Sequence, residues 1–331
     1  MSVQFRLPET LNNWPWPRDI NPYYEEVKAE SAVWFRSFQA FSPERQSAFD
    51  RCDFSLLASL AYPTASREHL RTGCDIMNLF FVFDEYTDQE DAKEVKVLAD
   101  IVIDAMHNPH KPRPDGENIL GEISRQFWEL AIVTASPTSQ RRIIDKFTCF
   151  TASVVEQAED RERNYKRSIA DYLNIRRKTI GAEPSYAILE LGMDLPDEMF
   201  YHLIVVRLSA VTTDLIIVGN DLCSFNKEQA MGDDLHNIIS IVMHDLHIDL
   251  DAAMLWVEAF HRELVDHFFE CWAEVKELTW SAEVDTYATE YLRGLANWVR
   301  ANDCWNFESG RYFGRKGKEI QIYRMVTLLP R

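Results

Sequence analysis

The stretch NDLCSFNKE, residues 220–228, carries an oxygen-bearing side chain at every fourth position: Asn220, Ser224 and Glu228. An α-helix turns about 100° per residue, so positions four apart return to one face with a drift of roughly 40°. A second cluster, DEYTD at 84–88, ends the aromatic-rich stretch MNLFFVF. Amide, hydroxyl and carboxylate oxygens on one helix, facing two carboxylates on another, are ligands that Mg²⁺ favours. The sequence therefore predicts a magnesium site built from two helices.

The composition limits the classes of partner. The 331 residues carry a formal net charge of −18, which argues against nucleic acid because phosphate binding needs clustered Lys and Arg. The most apolar stretch, residues 200–219, contains His202, Arg207 and Asp214, so we expect no membrane span. The N-terminus lacks the continuous apolar run of a signal peptide. Because the six cysteines are scattered without a C-x-x-C pair, we expect reduced thiols and a cytoplasmic protein.

The chain is predicted to be all-α. It has only 11 glycines and no alternating β-type runs, and apolar residues at three-and-four spacing mark a buried helix in 249–278. We expect one domain over residues 1–331, with an irregular N-terminal segment at 1–20 and a C-terminal tail or lid at 306–331. Ser42-Pro43-Glu44 has the pattern of a helix start. The predicted helices cover 43–63, 66–84, 117–134, 138–162, 169–180, 197–226, 231–246, 250–278 and 281–303.

The two clusters resemble the metal motifs of class I terpene synthases, and in particular those of the fungal sesquiterpene cyclases. DEYTD, with Asp84 and Asp88 at its ends, is similar to the family's D-(D/E)-x-x-D motif. Residues 220–228 are similar to the second motif, N-D-x-x-S-x-x-x-E, including the basic residue before its acid. Arg311-Tyr312 resembles the C-terminal Arg-Tyr pair that contacts diphosphate in this family.

An arginine upstream of the second motif adds to the resemblance. Arg177 lies where the family places its diphosphate sensor, and Gly181, one helical turn later, resembles the helix-break glycine that accompanies the sensor. The neighbouring Arg176 leaves this assignment open by one residue. The resemblance extends from residue 84 to residue 312, which is most of the chain.

The resemblance implies a single-domain class I terpenoid synthase bundle around a central active-site cavity, with a prenyl diphosphate as the substrate. It implies that three Mg²⁺ ions are bound by Asp84, Asp88, Asn220, Ser224 and Glu228. The diphosphate would be bound by Arg177, Lys227, Arg311 and Tyr312. The residues expected to carry the chemistry are Asp84, Arg177, Arg311 and Tyr312. The cavity positions are Phe80, Phe81, Gly181 and Trp305.

The activity that follows from the resemblance is cyclisation of farnesyl diphosphate to a sesquiterpene with release of diphosphate. The DEYTD form favours an initial 1,11-closure, a humulyl cation and a protoilludene-type product. One alternative is an acyclic alcohol synthase of the linalool or nerolidol type, in which water captures the first cation. A chain-elongating prenyltransferase would need a second aspartate-rich motif at 220–228, and an inactive helical scaffold would not need the complete ligand set. We expect a monomer or a homodimer.

Overall fold

The structure, a computed structural model, describes residues 4–232 and 234–330. Its regular structure is almost entirely helical, and the described residues contain one antiparallel pair of short strands. The elements in chain order are β1 (Gln4–Arg6), α1 (Tyr24–Ser37), α2 (Pro43–Arg51), α3 (Phe54–Ala61), α4 (Arg67–Thr87), α5 (Ala92–His107), α6 (Leu120–Ala131), α7 (Pro137–Glu162), α8 (Ile169–Thr179), α9 (Ala182–Tyr186), α10 (Asp197–Phe200), α11 (Leu203–Met231), α12 (Ile238–Asp245), α13 (Leu250–Val275), α14 (Ala282–Glu308), α15 (Gly317–Tyr323) and β2 (Met325–Thr327).

Capping side chains set where several helices begin. Ser42 accepts a hydrogen bond from the Arg45 backbone and Pro43 is the first residue of α2, so the predicted helix start is confirmed. The prediction that this helix continues to residue 63 is wrong. Asp53 adopts a left-handed conformation with φ of 48° and caps a new helix by accepting from the Leu56 N–H. The chain therefore forms two short helices, α2 and α3, in place of one.

Contacts divide the chain into two compact units. The first, which we call the NSE unit because it contains Asn220, Ser224 and Glu228, comprises the described residues of 4–18, 164–177 and 196–330. The second, the aspartate unit, contains DEYTD and comprises residues 19–163 and 178–195. The expectation of one domain stays a prediction.

Helix α11 forms the core of the NSE unit, where it packs against α13 and α14. It is long and apolar enough to cross a membrane by length and composition, and 56% of its most apolar 18-residue window is buried within the protein. Buried core helices commonly meet the same criterion. In the aspartate unit, α4 packs against α1, α3 and α6.

The C-terminal segment is fastened to helices of the NSE unit. Gly317 lies so close to α14 that a Cβ there would come 1.8 Å from the Phe307 carbonyl oxygen, so only glycine fits. Asn226 of α11 donates to the Thr327 carbonyl at 2.9 Å and accepts from the Leu329 N–H at 2.9 Å. Part of the predicted 306–331 tail is helical, because α14 continues to residue 308. Its action as a lid stays a prediction.

Candidate metal site

Three of the predicted metal ligands lie on one face of α11. Asn220, Ser224 and Glu228 succeed one another at intervals of one turn, as their spacing predicts. Ser224 is buried, whereas Asn220 and Glu228 are partly exposed. The helix therefore presents an amide, a hydroxyl and a carboxyl group along one line.

Two asparagines of α14 hydrogen bond to backbone carbonyls of α11 in the turn before Asn220. Asn302 donates its side-chain amide to the Ile216 carbonyl at 3.3 Å, and Asn306 donates to the Gly219 carbonyl at 3.1 Å. Both asparagines are buried. A Cβ at Gly219 would lie 3.0 Å from the Asn302 amide nitrogen, so the absence of a side chain permits this approach. These bonds fix the position of α11 relative to α14 in the region next to Asn220.

Asn237 joins the other two predicted ligands. Its Nδ2 group lies 2.8 Å from Glu228 Oε2, 3.2 Å from Ser224 Oγ and 2.9 Å from the Asp221 carbonyl oxygen. The Asn237 side chain is fully buried. It is absent from the residues that the sequence predicts for the site, although an asparagine before the apolar run IISIV has the pattern of a helix cap.

The surroundings of Glu228 disfavour the charged form of its carboxyl group. Burial, together with the nearby Asp221 carboxylate, raises the pKa of Glu228 to about 7, and the Asn237 hydrogen bond opposes the rise. A cation beside Glu228 would favour ionisation.

Arg176 contacts the start of the second motif. Its Nη2 donates to Asn220 Oδ1 at 2.9 Å and to Asp221 Oδ1 at 3.0 Å. Asp221 Oδ2 accepts from the Tyr172 hydroxyl and from the Ile238 backbone N–H. Asp221 therefore ties α8, α11 and the beginning of α12 together. Burial raises the pKa of the Asp221 carboxyl, and Arg176 opposes that rise.

Arg177 points to a different carboxylate. Its Nε and Nη2 groups donate to the two Asp214 carboxylate oxygens at 2.7 and 2.8 Å, a bidentate pair. The bond from Arg176 to Asn220 and the pair between Arg177 and Asp214 therefore lead to different residues of α11. Sequence alone leaves the sensor open between the two, and their side-chain contacts differ.

Tyr312 of the C-terminal Arg-Tyr pair contacts the same line of predicted ligands. The Tyr312 hydroxyl oxygen accepts from Asn220 Nδ2 at 2.8 Å. The rings of Tyr312 and Trp305 meet edge to face, with centroids 5.8 Å apart, and Trp305 is buried. Arg311 precedes Tyr312, and Lys227 lies on α11; both are partly exposed.

The aspartate motif forms the last turn of α4. Asp84 lies in the helix, Asp88 is its C-cap residue, and both are partly exposed. The residues between them contact the scaffold: Glu85 pairs with Arg45 at 3.4 Å, and the Tyr86 hydroxyl donates to the Ala40 carbonyl at 2.7 Å. Acidic side chains at a helix C-terminus face the negative end of the helix dipole. This end of α4 would gain stability from a cation.

The predicted cavity residues of the aspartate unit make aromatic contacts. Phe80 stacks on Phe147 with centroids 5.1 Å apart, and a Cβ at Gly181 would lie 3.6 Å from the Phe80 ring. Gly181 lies between α8 and α9 with φ of 72°, a conformation that favours glycine. Phe81 stacks on Phe54 with centroids 3.8 Å apart.

The donor groups suit a hard cation. All five predicted ligands supply oxygen, and none supplies sulfur or imidazole nitrogen, which matches Mg²⁺ better than Zn²⁺. Within residues 4–232 and 234–330, no group of three or more His, Cys, Asp or Glu side chains has the geometry of a metal cluster. The set on α11 falls outside that description because two of its three members are neutral.

Known proteins with similar sequences support the resemblance of the two motifs to those of terpene synthases. The family model described as "Terpene synthase family 2, C-terminal metal binding" matches residues 75–267. Sesquiterpene synthase 14 of Postia placenta is 57% identical over 326 residues, covering 98% of this chain and 92% of its own length. The Δ(6)-protoilludene synthase of Armillaria gallica is 52% identical over 331 residues, covering 100% and 95%.

Solved structures share the fold. Germacradien-4-ol synthase of Streptomyces citricolor aligns with a TM-score of 0.76 at 20% identity, covering 88% of this chain and 98% of that chain. A crystal structure of α-eudesmol synthase aligns with a TM-score of 0.79 at 20% identity, covering 90% and 99%. With the helical architecture confirmed and more than half of the sequence identical to a curated relative, the chain belongs to the terpene synthase family.

Proposed function

We propose that the protein is a sesquiterpene synthase that ionises farnesyl diphosphate, cyclises the resulting cation and releases diphosphate. The observation that carries this proposal is the α11 face, where Asn220, in line with Ser224 and Glu228, hydrogen bonds to Arg176 and Tyr312. Oxygen ligands for a cation and donors for an anion therefore occur together. Relatives over 50% identical and named for sesquiterpene synthesis support the assignment.

The proposed metal ligands are those that the resemblance implies: Asp84, Asp88, Asn220, Ser224 and Glu228. We expect three Mg²⁺ ions, which when bound would neutralise charge on the diphosphate as it leaves. The chain's own donors act on the same group. Arg311, Tyr312 and Lys227 would form charge-assisted hydrogen bonds that strengthen as negative charge develops on the leaving diphosphate.

We further propose Arg176 as the diphosphate sensor in place of Arg177. Arg176 donates to Asn220 Oδ1, so it contacts a proposed metal ligand directly. Arg177 is held by Asp214 in a bidentate pair. Arg176 is also paired with a carboxylate, Asp221, at 3.0 Å, so the choice between the two arginines rests on the contact to Asn220.

After ionisation, the protein must exclude water and hold the allylic cation against unreactive surfaces. Aromatic faces stabilise a cation without attacking it, and Trp305, Phe80 and Phe81 are the proposed aromatic lining. We propose a first closure to a humulyl cation and a protoilludene-type product. Relatives named Δ(6)-protoilludene synthase, at 52–54% identity, support this choice over acyclic alcohols. We also propose a cytoplasmic monomer or homodimer.

Product analysis tests the proposal. The purified protein is incubated separately with geranyl, farnesyl and geranylgeranyl diphosphate in magnesium buffer, and the extracts are analysed by gas chromatography with mass spectrometry. We expect a tricyclic C15 hydrocarbon from farnesyl diphosphate, and no product when EDTA replaces magnesium. Nerolidol as the main product would favour the acyclic alternative. Full activity in metal-free buffer would contradict the mechanism, and C20 diphosphate formed on adding isopentenyl diphosphate would indicate chain elongation.

A further inference from the structure

Asn237 has two functions in its local structure. As the N-cap of α12, it accepts a hydrogen bond from the Ile239 N–H through Oδ1 at 3.0 Å. Its amide nitrogen faces the three oxygens of Asp221, Ser224 and Glu228. The cap fixes the orientation of the amide, because a flip would turn Oδ1 towards three acceptors.

The cap alone does not account for an asparagine here. Serine, threonine and aspartate cap helices about as well, and none of them adds an amide donor. The buried Nδ2 group therefore has a purpose beyond starting α12. Its shortest contact, 2.8 Å, is to Glu228 Oε2.

We propose that Asn237 is a positioning residue of the metal site, which holds the Glu228 carboxylate and the Ser224 hydroxyl in the arrangement that binds the cation. This inference rests on the proposed function, since it assumes that Ser224 and Glu228 are metal ligands. By occupying Oε2, Asn237 directs the other carboxylate oxygen of Glu228 to the metal. It also keeps Ser224 on the same side of α11. Partners of this kind orient ligands that would otherwise sample several rotamers.

Two substitutions separate the donor from the cap. Asn237→Ser and Asn237→Thr keep an oxygen for the Ile239 N–H but are too short to hydrogen bond to Glu228. The matched control is Asp249→Ala, which removes the cap of α13, where Asp249 accepts from the Ala252 N–H. The control loses a helix cap in the same unit without touching the proposed ligands.

The first measurement is thermal unfolding with inorganic diphosphate at a fixed concentration and increasing magnesium chloride. The second is the magnesium concentration that gives half-maximal turnover of farnesyl diphosphate. For Asn237→Ser and Asn237→Thr, we expect both magnesium midpoints to rise about 10- to 100-fold. We expect Asp249→Ala to lower the Tm in metal-free buffer and to keep the wild-type midpoints.

The outcomes distinguish this inference from the proposed function. If the wild-type Tm does not respond to magnesium and diphosphate, and turnover is independent of magnesium, the proposed function fails and the inference fails with it. If the wild type responds and both Asn237 variants keep its midpoints, Asn237 is only a cap. Failure of both variants to fold would also overturn the inference, because Asn237 would then be essential to the fold.

Discussion

The two metal motifs occupy different kinds of local structure. In the NSE unit, Asn220 is bonded to Arg176 and Tyr312, and Ser224 and Glu228 are bonded to Asn237. In the aspartate unit, the motif is the end of a helix, where acidic groups oppose the helix dipole. The proposed ligands of the NSE unit therefore also make hydrogen bonds that contribute to the fold. The aspartates lie at the negative end of a helix dipole, where a cation would be favourable.

The comparison predicts unequal effects on stability from two variants that both strongly reduce activity. Asp84→Ala and Asn220→Ala should each lower kcat by at least ~100-fold, because each removes a ligand of an ion that stabilises the leaving group. In metal-free buffer, Asn220→Ala should lower the Tm, since Arg176 and Tyr312 lose a partner. Asp84→Ala should lower the Tm less, because removing an acid from a helix C-terminus relieves an unfavourable dipole interaction of about 0.3–1 kcal/mol.

Single-turnover kinetics and calorimetry check this prediction. The control is Glu85→Ala, which removes an acid from the same helical turn. Because Glu85 is not a proposed ligand, this variant should keep most of its activity. Equal losses of metal-free Tm in the Asp84 and Asn220 variants would remove the distinction between the two regions.

The next prediction concerns the two arginines of α8. Arg176→Lys keeps the charge but loses the planar fork, so we expect kcat/KM to fall by about 10- to 100-fold, the value of a hydrogen bond to a charged group. Arg177→Lys should lower the Tm, because Asp214 loses a bidentate partner, and should have the smaller effect on kcat/KM. Steady-state kinetics with farnesyl diphosphate decides. A larger loss in the Arg177 variant would restore Arg177 as the sensor.

The arginine pair shows what a sequence can and cannot specify. Spacing along one helix predicts that Asn220, Ser224 and Glu228 share a face, because that follows from helix geometry alone. Adjacent residues on a helix point about 100° apart, so choosing between Arg176 and Arg177 requires knowing where α8 lies in its unit. Asn237 is harder still, since its contacts to α11 depend on how the chain returns after residue 232.

The helix boundaries also depend on tertiary contacts that the local sequence does not reveal. The stripe in 249–278 predicts α13 closely, because burial and periodicity agree there. The break at Asp53 is not visible in the sequence, because it is supported by hydrogen bonds from Tyr24 and Lys28 on another helix. Similarly, the helix predicted at 197–226 is interrupted near His202, whose side chain caps α11. Local pattern predicts most of the long helices but not α1 or α5, and tertiary contacts decide where helices stop.

A third prediction contrasts buried titratable groups in the two units. Burial lowers the pKa of His261 in the NSE unit from 6.5 to about 4, so its folded form resists protonation. Stability from this group is present above pH 6.5 and is lost as the pH falls towards 4. Burial raises the pKa of Asp75 in the aspartate unit from 3.8 to about 6, with Arg71 opposing the rise. The contribution of Asp75 to the stability of the folded protein is greatest below pH 3.8 and is lost as the pH rises to 6.

Urea unfolding at several pH values between 4 and 7.5 checks these signs. Between pH 7 and pH 4, the stability of wild type relative to His261→Leu should fall by about 1–3 kcal/mol. Relative to Asp75→Asn, it should rise by a similar amount over the same interval. Parallel pH curves for wild type and either variant would show that the corresponding group does not titrate with a shifted pKa.

The smallest expected effect concerns the aromatic residues, where the regions also differ. Trp305 contacts Tyr312, which is bonded to the proposed ligand Asn220, whereas Phe81 stacks on Phe54. Trp305→Leu should therefore redistribute the products, because a carbocation loses about 0.5–2 kcal/mol of ring attraction, equivalent to about 2- to 30-fold between competing branches. Early-quenched acyclic and monocyclic compounds should increase. Phe81→Leu should change the Tm more than the product profile, since it removes the stack on Phe54. Gas chromatography of both variants, beside Phe54→Leu as the matched control, measures the difference. The opposite outcome is that Phe81→Leu changes the products as much as Trp305→Leu does, while Phe54→Leu leaves them unchanged. That result would show that Phe81 and Trp305 both line the cavity, as the sequence alone predicts.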